Sequence, residues 1–572
     1  MKPKPFSFKR RIWLYDRADF DLFRNKCNNV NWDEIIDDNI PIDRCVMNFN
    51  NQTIKIAEEC IPNKIITVRQ NELPWVDSHI RRLMRRRNRY RKKAKRINSE
   101  YLWNKFKIIR NQVVNKLRNA KNNYYENICL KLKSNKFGTK EWWKLSKQLS
   151  NPSTKQSIPT LLTDYGTAVH DDTDKANLLN RFFCSQSSIN DSGKILPPSI
   201  NNVSPVLQAI AIPTPDVKDF LNCLDISKAV GPDGLSPRLL KEAANVLAPP
   251  MCKLFNYSLK LKQFPTSWKV ANIIPVYKKN DPQKVENYRP ISLLCIIAKV
   301  FEKCVHKQLH NFIVSNKLLS PHQSGFTKND STVNQLLFLT NEFANALEDG
   351  KEIRVVFFDI TKAFDRVWHA GLLYKLNSFG ISGDLLLWIE NYLSSRYQKV
   401  LINGKHSTTL SINAGIPQGS ILGPLFFLLF INDIVYEVGC SIKLFADDTT
   451  LYLTIEHPDS GASLLNQDLD KIYNWSDRWL VSFNPQKTET MLISRKTLPL
   501  HHPTLYMNDI PIKEVTQHKH LGLIFNNSLQ WTDHIDVIFK KASFKLNILR
   551  TLKFKIDRRS LETIYFHLLD HL

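Results

Sequence analysis

Two adjacent carboxylates, Asp447 and Asp448, interrupt an apolar, β-prone run from Ser441 to Thr454, and they constrain the fold more than any other feature of the chain. Before them Ile442, Leu444 and Ala446 alternate with Lys443 and Phe445; after them Leu451 and Leu453 alternate with Tyr452 and Thr454. That alternation predicts a strand, a tight turn and a second strand. Two like charges at a hairpin tip repel one another, and a divalent cation with oxygen ligands relieves the repulsion. An isolated Asp-Asp pair is more often a solvated acidic turn, so the rest of the chain has to decide.

A second acidic element reads Val355-Val-Phe-Phe-Asp359-Ile-Thr-Lys-Ala-Phe364-Asp365. An apolar strand, Arg354 to Phe358, ends at Asp359, and the pattern then turns helical. A strand exit is a common place for a catalytic group. If this strand lies beside the acidic hairpin, three carboxylates converge. Three carboxylates plus substrate phosphates suit two Mg²⁺ ions about 3.5–4 Å apart, an arrangement for in-line phosphoryl displacement. Asp365 is expected to point elsewhere and is left out of the metal set. Asp233, inside Gly231-Pro-Asp-Gly234, is a turn residue first.

Lys+Arg 80 against Asp+Glu 54 leaves +26 at 572 residues. So large an excess points to a polyanionic partner, nucleic acid before anionic membrane. The 10 cysteines show no paired Cys-x-x-Cys spacing, which argues against a zinc site or a disulfide framework. The start carries no apolar signal core, and the longest apolar stretch, Ile421 to Ile431, is too short to span a bilayer. It reads as a buried helix.

Along the chain, 1–75 reads as a partly ordered lead-in. Residues 76–150 form a basic helical segment in which eleven of the sixteen positions from Arg81 to Arg96 are Lys or Arg. Arg81, Arg82, Arg85, Arg86, Arg87, Arg89, Arg91, Lys92 and Lys93, with aromatics following, fit contact with a phosphate backbone. The competing reading is a solvated helix face or an import signal. Residues 151–211 read as a loop-rich linker, 212–525 as the main α+β body, and 526–572 as a partial helical domain.

Asp359 with Phe364, Ala446-Asp447-Asp448, and Gly415-Ile-Pro-Gln-Gly419-Ser-Ile-Leu-Gly423-Pro between them resemble the polymerase motifs of reverse transcriptases. Lys228-Ala-Val-Gly231-Pro-Asp-Gly234, Trp268-Lys269, Ile274-Pro-Val-Tyr-Lys278, Asn287-Tyr-Arg289-Pro-Ile-Ser-Leu-Leu294, Gln323-Ser-Gly325-Phe326, Asn484-Pro-Gln-Lys487 and His520-Leu-Gly522-Leu narrow the likeness to non-LTR, LINE-type, jockey-like retrotransposons. The resemblance covers roughly 212–572.

It implies a right-hand polymerase of fingers, palm and partial thumb. Asp359, Asp447 and Asp448, with the backbone carbonyl of Ile360, match ligands of two Mg²⁺ (or Mn²⁺) ions. Phe364 matches the ring under the nucleotide sugar, with plain core packing as the alternative. Gln418 and Gly419 match residues beside the nucleotide; Lys278 and Arg289 match triphosphate-binding finger residues. Lys487 fits a proton donor to departing pyrophosphate, and His520, Leu521 and Gly522 match the primer grip.

The implied activity is RNA-directed DNA synthesis from a 3′-hydroxyl primer with dNTPs, a nucleotidyl transfer on template RNA with a DNA primer or target. The setting it implies is an intracellular ribonucleoprotein, nuclear or cytoplasmic, with no membrane. Family members usually carry an endonuclease ahead and more thumb behind, so the chain reads as a piece of a retroelement frame. The alternatives are a catalytically idle nucleic-acid-binding remnant and an RNA-templated RNA polymerase, the latter disfavoured by Phe364.

Overall fold

The computed structural model describes residues 7–69, 73–133, 145, 158–198, 204–496, 501–553 and 556–569. Parts of the basic segment and of the expected linker, 134–144 and 146–157, and the last residues, 570–572, lie outside them. The chain divides into two compact units. One joins Met1–Phe8, Thr67–Ser157 and Trp531–Leu572; the other joins Lys9–Ile66 and Ile158–Gln530.

The larger unit is built on two sheets. In chain order their strands are β1 (Val270–Tyr277), β2 (Tyr288–Leu293), β3 (Glu352–Phe358), β4 (Arg396–Ile402), β5 (Lys405–His406), β6 (Leu410–Ile412), β7 (Ser441–Phe445), β8 (Asp448–Ile455), β9 (Glu489–Ile493) and β10 (Lys513–Glu514). The first sheet runs β6-β4-β1-β2 with β5 on β4, and the second runs β7-β8-β3-β9-β10. In the second, β3 pairs antiparallel with both β8 and β9.

The Val-Val-Phe-Phe of β3 explains its central place, because every residue of that strand is buried. Ile353, Val355 and Phe357 pack with Leu339 and Phe343 of the helix Thr332–Glu348. Val356 and Phe358 face the main core, which includes the helix Leu422–Ile431. A strand covered on both faces is written as a continuous apolar run. The predicted buried helix at 421–431 is therefore there, and a further helix, Pro458–Arg478, follows the hairpin.

The lead-in expectation is corrected. Helices Phe20–Asn28, Trp32–Ile35 and Ile42–Cys60 bury Phe23, Val46, Phe49 and Ile56 in the same core as Leu247, Leu254 and Phe255 of the helix Ala244–Lys260. Tyr257 Oη donates to Asp38 O and Ile40 O, both at 2.9 Å. The expected linker is corrected too. Asp171 caps a helix, Asp172–Gln186, by accepting from Thr173 N–H at 2.7 Å. Asn180 and Cys184 of that helix meet Gln398 of β4.

In the smaller unit the helices Ser78–Ile97 and Glu100–Lys133 pack together. Tyr125, Ile128 and Cys129 share a cluster with Leu552, Ile556 and Ile564, from the region of the helices Thr532–Leu552 and Arg558–Leu569. The expected basic segment and partial thumb thus fold as one compact unit rather than two. Among the described residues no helix is long and apolar enough to cross a membrane.

Candidate active site and nucleic-acid interface

β7 and β8 form the predicted hairpin, with Phe445 paired to Asp448 and Ala446-Asp447 as its turn. Ala446 takes a left-handed φ of +55°. Thr449 faces Phe358 across β8 and β3, the last pair of that ladder, and Asp448 and Asp359 are the next residues of the two strands. Beyond β3 the chain stays pinned: Asn484 N–H donates to Asp359 O at 2.9 Å and Thr361 N–H to Ser482 O at 2.8 Å. The Ile360 carbonyl is left out of those two bonds.

Electrostatics bear the mark of this crowding. Burial among protein atoms, then Asp447 and Asp359, push Asp448 up to about 6. Asp447 is raised by burial and by Asp359, against the pull of Arg289 and Lys278. Both side chains still open to solvent. Lys487 Nζ stands 3.7 Å from Asp359 Oδ2. Among the described residues, no three His, Cys, Asp or Glu are gathered tightly enough to hold a metal ion between them. The donor set nevertheless fits a hard cation: all its groups are oxygens, and their mutual repulsion is what a divalent ion removes.

Lys278 and Arg289 come from the β1–β2 hairpin, where Val276 pairs with Arg289 and Lys278 N–H donates to Asn287 O at 2.8 Å. Both are exposed. Burial of its ammonium and the neighbouring Arg289 lower Lys278, while Asp359 pulls the other way. The two finger cations and the palm carboxylates therefore sense one another across a cleft.

Phe364 is half-buried, stacked on Phe427 with centroids 4.6 Å apart and edge-on to Phe326 at 6.4 Å. Gln418 donates through Nε2 to both oxygens of Asp365, each at 2.9 Å. Its amide is thus engaged inside the protein. Asp365 is buried and raised by that burial. Gly419 has φ +120°, and a Cβ there would lie 2.9 Å from Ser292 O. The loop can approach β2 only because it has none.

The residues expected to form the primer grip sit on a hairpin of Gln517–His520 and Leu523–Asn526, with Leu521 and Gly522 at its tip. His520 is buried, its ring tilted against Phe357 at 5.4 Å, with Thr450 Oγ1 3.4 Å from its Nε2. Its ring anchors the hairpin to the palm sheet, and the tip is what reaches solvent. Sequence reasoning missed Glu302. This buried carboxylate accepts from the N–H groups of Ile421 and Leu422 at the start of the helix Leu422–Ile431. The signal was a lone acid within the apolar helix Ile296–Ser315.

On the basic helix, capped by Asp77 and ended by left-handed Asn98, Ile80, Leu83, Met84, Arg87, Tyr90 and Ala94 share one face and are buried or half-buried. Arg82, Arg85, Arg86, Arg89, Arg91, Lys92 and Lys93 are exposed. Arg81 and Arg87 are half-buried, with Arg81 donating to Val76 O at 2.7 Å.

The antiparallel strands β7, β8, β3 and β9 thus bring acids at a hairpin tip and at a strand exit within the electrostatic reach of Lys278 and Arg289. Residues 276–525 match the reverse transcriptase (RNA-dependent DNA polymerase) family, and 76–136 match the C-terminal domain of female sterile protein K10. The chain is 26% identical over 510 residues to the probable RNA-directed DNA polymerase from transposon BS of Drosophila melanogaster, 85% of this chain and 55% of that protein. It is 30% identical over 349 residues to the RNA-directed DNA polymerase from mobile element jockey of the same organism, 59% of this chain and 38% of that protein. The X-element counterpart is 28% identical over 326 residues. The chain thus spans between roughly a third and just over half of the curated relatives it matches. Residues 276–525 are thus similar to the reverse transcriptase domain, and these relatives are RNA-directed DNA polymerases of transposons and mobile elements.

Proposed function

We propose that this chain is an RNA-directed DNA polymerase, extending a 3′-hydroxyl primer on template RNA with dNTPs in retrotransposition. The observation that carries the reading is that Asp359 leaves β3 where β8 begins at Asp448, with Asp447 in the hairpin turn, so that the three carboxylates act on one another's charge. Asp359, Asp447 and Asp448, with the Ile360 carbonyl, would hold two divalent ions, Mg²⁺ or Mn²⁺. When bound, such ions supply charge neutralisation and activation of the attacking oxygen.

The chain's own residues do the rest. Lys278 and Arg289 donate charge-assisted hydrogen bonds to the triphosphate and orient it. Phe364 closes the space a ribose 2′-hydroxyl would need. Lys487 donates a proton toward the departing pyrophosphate. The Leu521-Gly522 tip supports the primer end, and the Gln418–Gly419 loop lines the nucleotide's side of the cleft. The exposed cations of the helix Ser78–Ile97 bind nucleic-acid phosphates, within an intracellular ribonucleoprotein.

Primer extension on an RNA template with dNTPs and Mg²⁺ tests the reading, beside an Asp447→Ala/Asp448→Ala control. Extension by the chain, abolished in the control, is the expected result. A folded chain that binds RNA and extends nothing would refute it in favour of an idle nucleic-acid-binding remnant.

A further inference from the structure

The acidic hairpin is clamped from beyond the edge of its sheet. β7 is the edge strand, and residues 322–324 run alongside it. Leu444 N–H donates to His322 O and Ser324 N–H to Leu444 O, both at 2.9 Å. Between them Gln323 is only 4% exposed. Its Oε1 accepts from Ala446 N–H at 3.0 Å and from Gly325 N–H at 2.8 Å. Chemistry fixes the orientation of this amide, because turned over it would set an NH₂ group against two N–H donors. Its Nε2 has no acceptor among the described residues, so the carbonyl is the part the site uses.

Gly325 lets the clamp close. A Cβ there would lie 2.3 Å from Ala446 N, which no rotation of a side chain can relieve. The peptide under the clamp is the left-handed one at φ +55°. A residue other than glycine holds such a conformation only where its surroundings over-determine it.

We propose that Gln323 is a positioning residue for the hairpin: by receiving the Ala446 N–H it holds the turn that aims Asp447 and Asp448 at Asp359. The inference rests on the reading of those aspartates as metal ligands. Without the acceptor, Ala446 is left with a buried, unpaired N–H and a disfavoured backbone. Rotation of the Phe445-Ala446 peptide, which carries that N–H and turns the φ of Ala446, relieves both and re-aims the two carboxylates that follow.

The test is Mn²⁺ binding by the full chain without substrate, followed by the electron paramagnetic resonance of the free ion, with melting recorded for each protein. Wild type binds, and Asp447→Ala/Asp448→Ala does not. Gln323→Met, similar in length but lacking the carbonyl, is expected to bind roughly tenfold more weakly while remaining folded. Gln323→Glu, which keeps an acceptor oxygen, is expected to return to within about threefold of wild type. Wild-type affinity in Gln323→Met, or a Gln323→Glu protein no better than Gln323→Met, overturns the proposal alone. A wild type that binds no Mn²⁺ dependent on Asp447 and Asp448 overturns the ligand reading, and the proposal falls with it. Should Gln323→Met not fold, Gly325→Ala displaces the same peptide from the other side. It is expected to weaken Mn²⁺ by a similar factor, and an unchanged affinity would again defeat the proposal.

Discussion

Two side chains of the site have dual allegiances that substitution can separate. Phe364 touches both Phe427 and Phe326, so its ring is at once packing and wall. Phe364→Ala is expected to cut the preference for dNTP over rNTP by roughly 10- to 100-fold in kcat/KM. An unchanged ratio would leave it only its packing on Phe427. His520 gives a pH signature. Burial and the neighbouring His518 lower it from 6.5 to about 4. Between those values the unfolded chain takes up a proton that the folded chain refuses. Stability present above the unfolded pKa is therefore lost as pH falls through this window, by at most about 3 kcal/mol. Melting at pH 7 and pH 4.5 measures the loss, which His520→Gln should reduce. The three aspartates were legible in the sequence because acids break an apolar alternation where strands end. The bond of Gln418 to Asp365 was not, because its partner lies 53 residues away and is brought there by loop packing.

Elements whose periodicity is strong came through with nearly the expected limits, as across the hairpin of Ser441–Phe445 and Asp448–Ile455. The helix Asp172–Gln186 did not, because its Ser- and Asn-rich surroundings read as loop. The signal was local: Asp171 ahead of a polar first turn, then Leu179 and Phe183 at helical spacing. Asp171→Ala is expected to lower the melting temperature, as loss of an N-cap does elsewhere. The basic helix yields a different measurement. Replacing its exposed Arg and Lys by Gln leaves the face of Ile80, Leu83 and Ala94 intact. The slope of log affinity for RNA against log salt should then fall by about 0.7 for each phosphate no longer neutralised. An unchanged slope would make those residues a solvated face.

At the scale of the molecule, the polymerase core extends well outside the residues matched to the reverse transcriptase family, 276–525. Lys253 pairs with Asp33 at 2.6 Å, Thr266 N–H bonds to Asp43, and the helices of 20–60 fill one side of a shared core. Removing residues 9–66 is expected to drop the melting temperature by at least about 5 °C or to cause aggregation. Equal melting would make that segment an appendage. Its integration was not visible in the sequence because it has aromatics and acids without sustained period, and its apolar partners come some 200 residues later. The smaller unit has the opposite history. Its segments around 67–157 and 531–572 stand at opposite ends of the polymerase in the chain. During synthesis, the ribosome makes the two basic helices long before Leu552 and Ile564, which join their cluster. At 5–20 residues per second that interval is roughly 20–80 s. Throughout it Tyr125 and Ile128 wait without Leu552, Ile556 and Ile564, the members of their cluster that are made last.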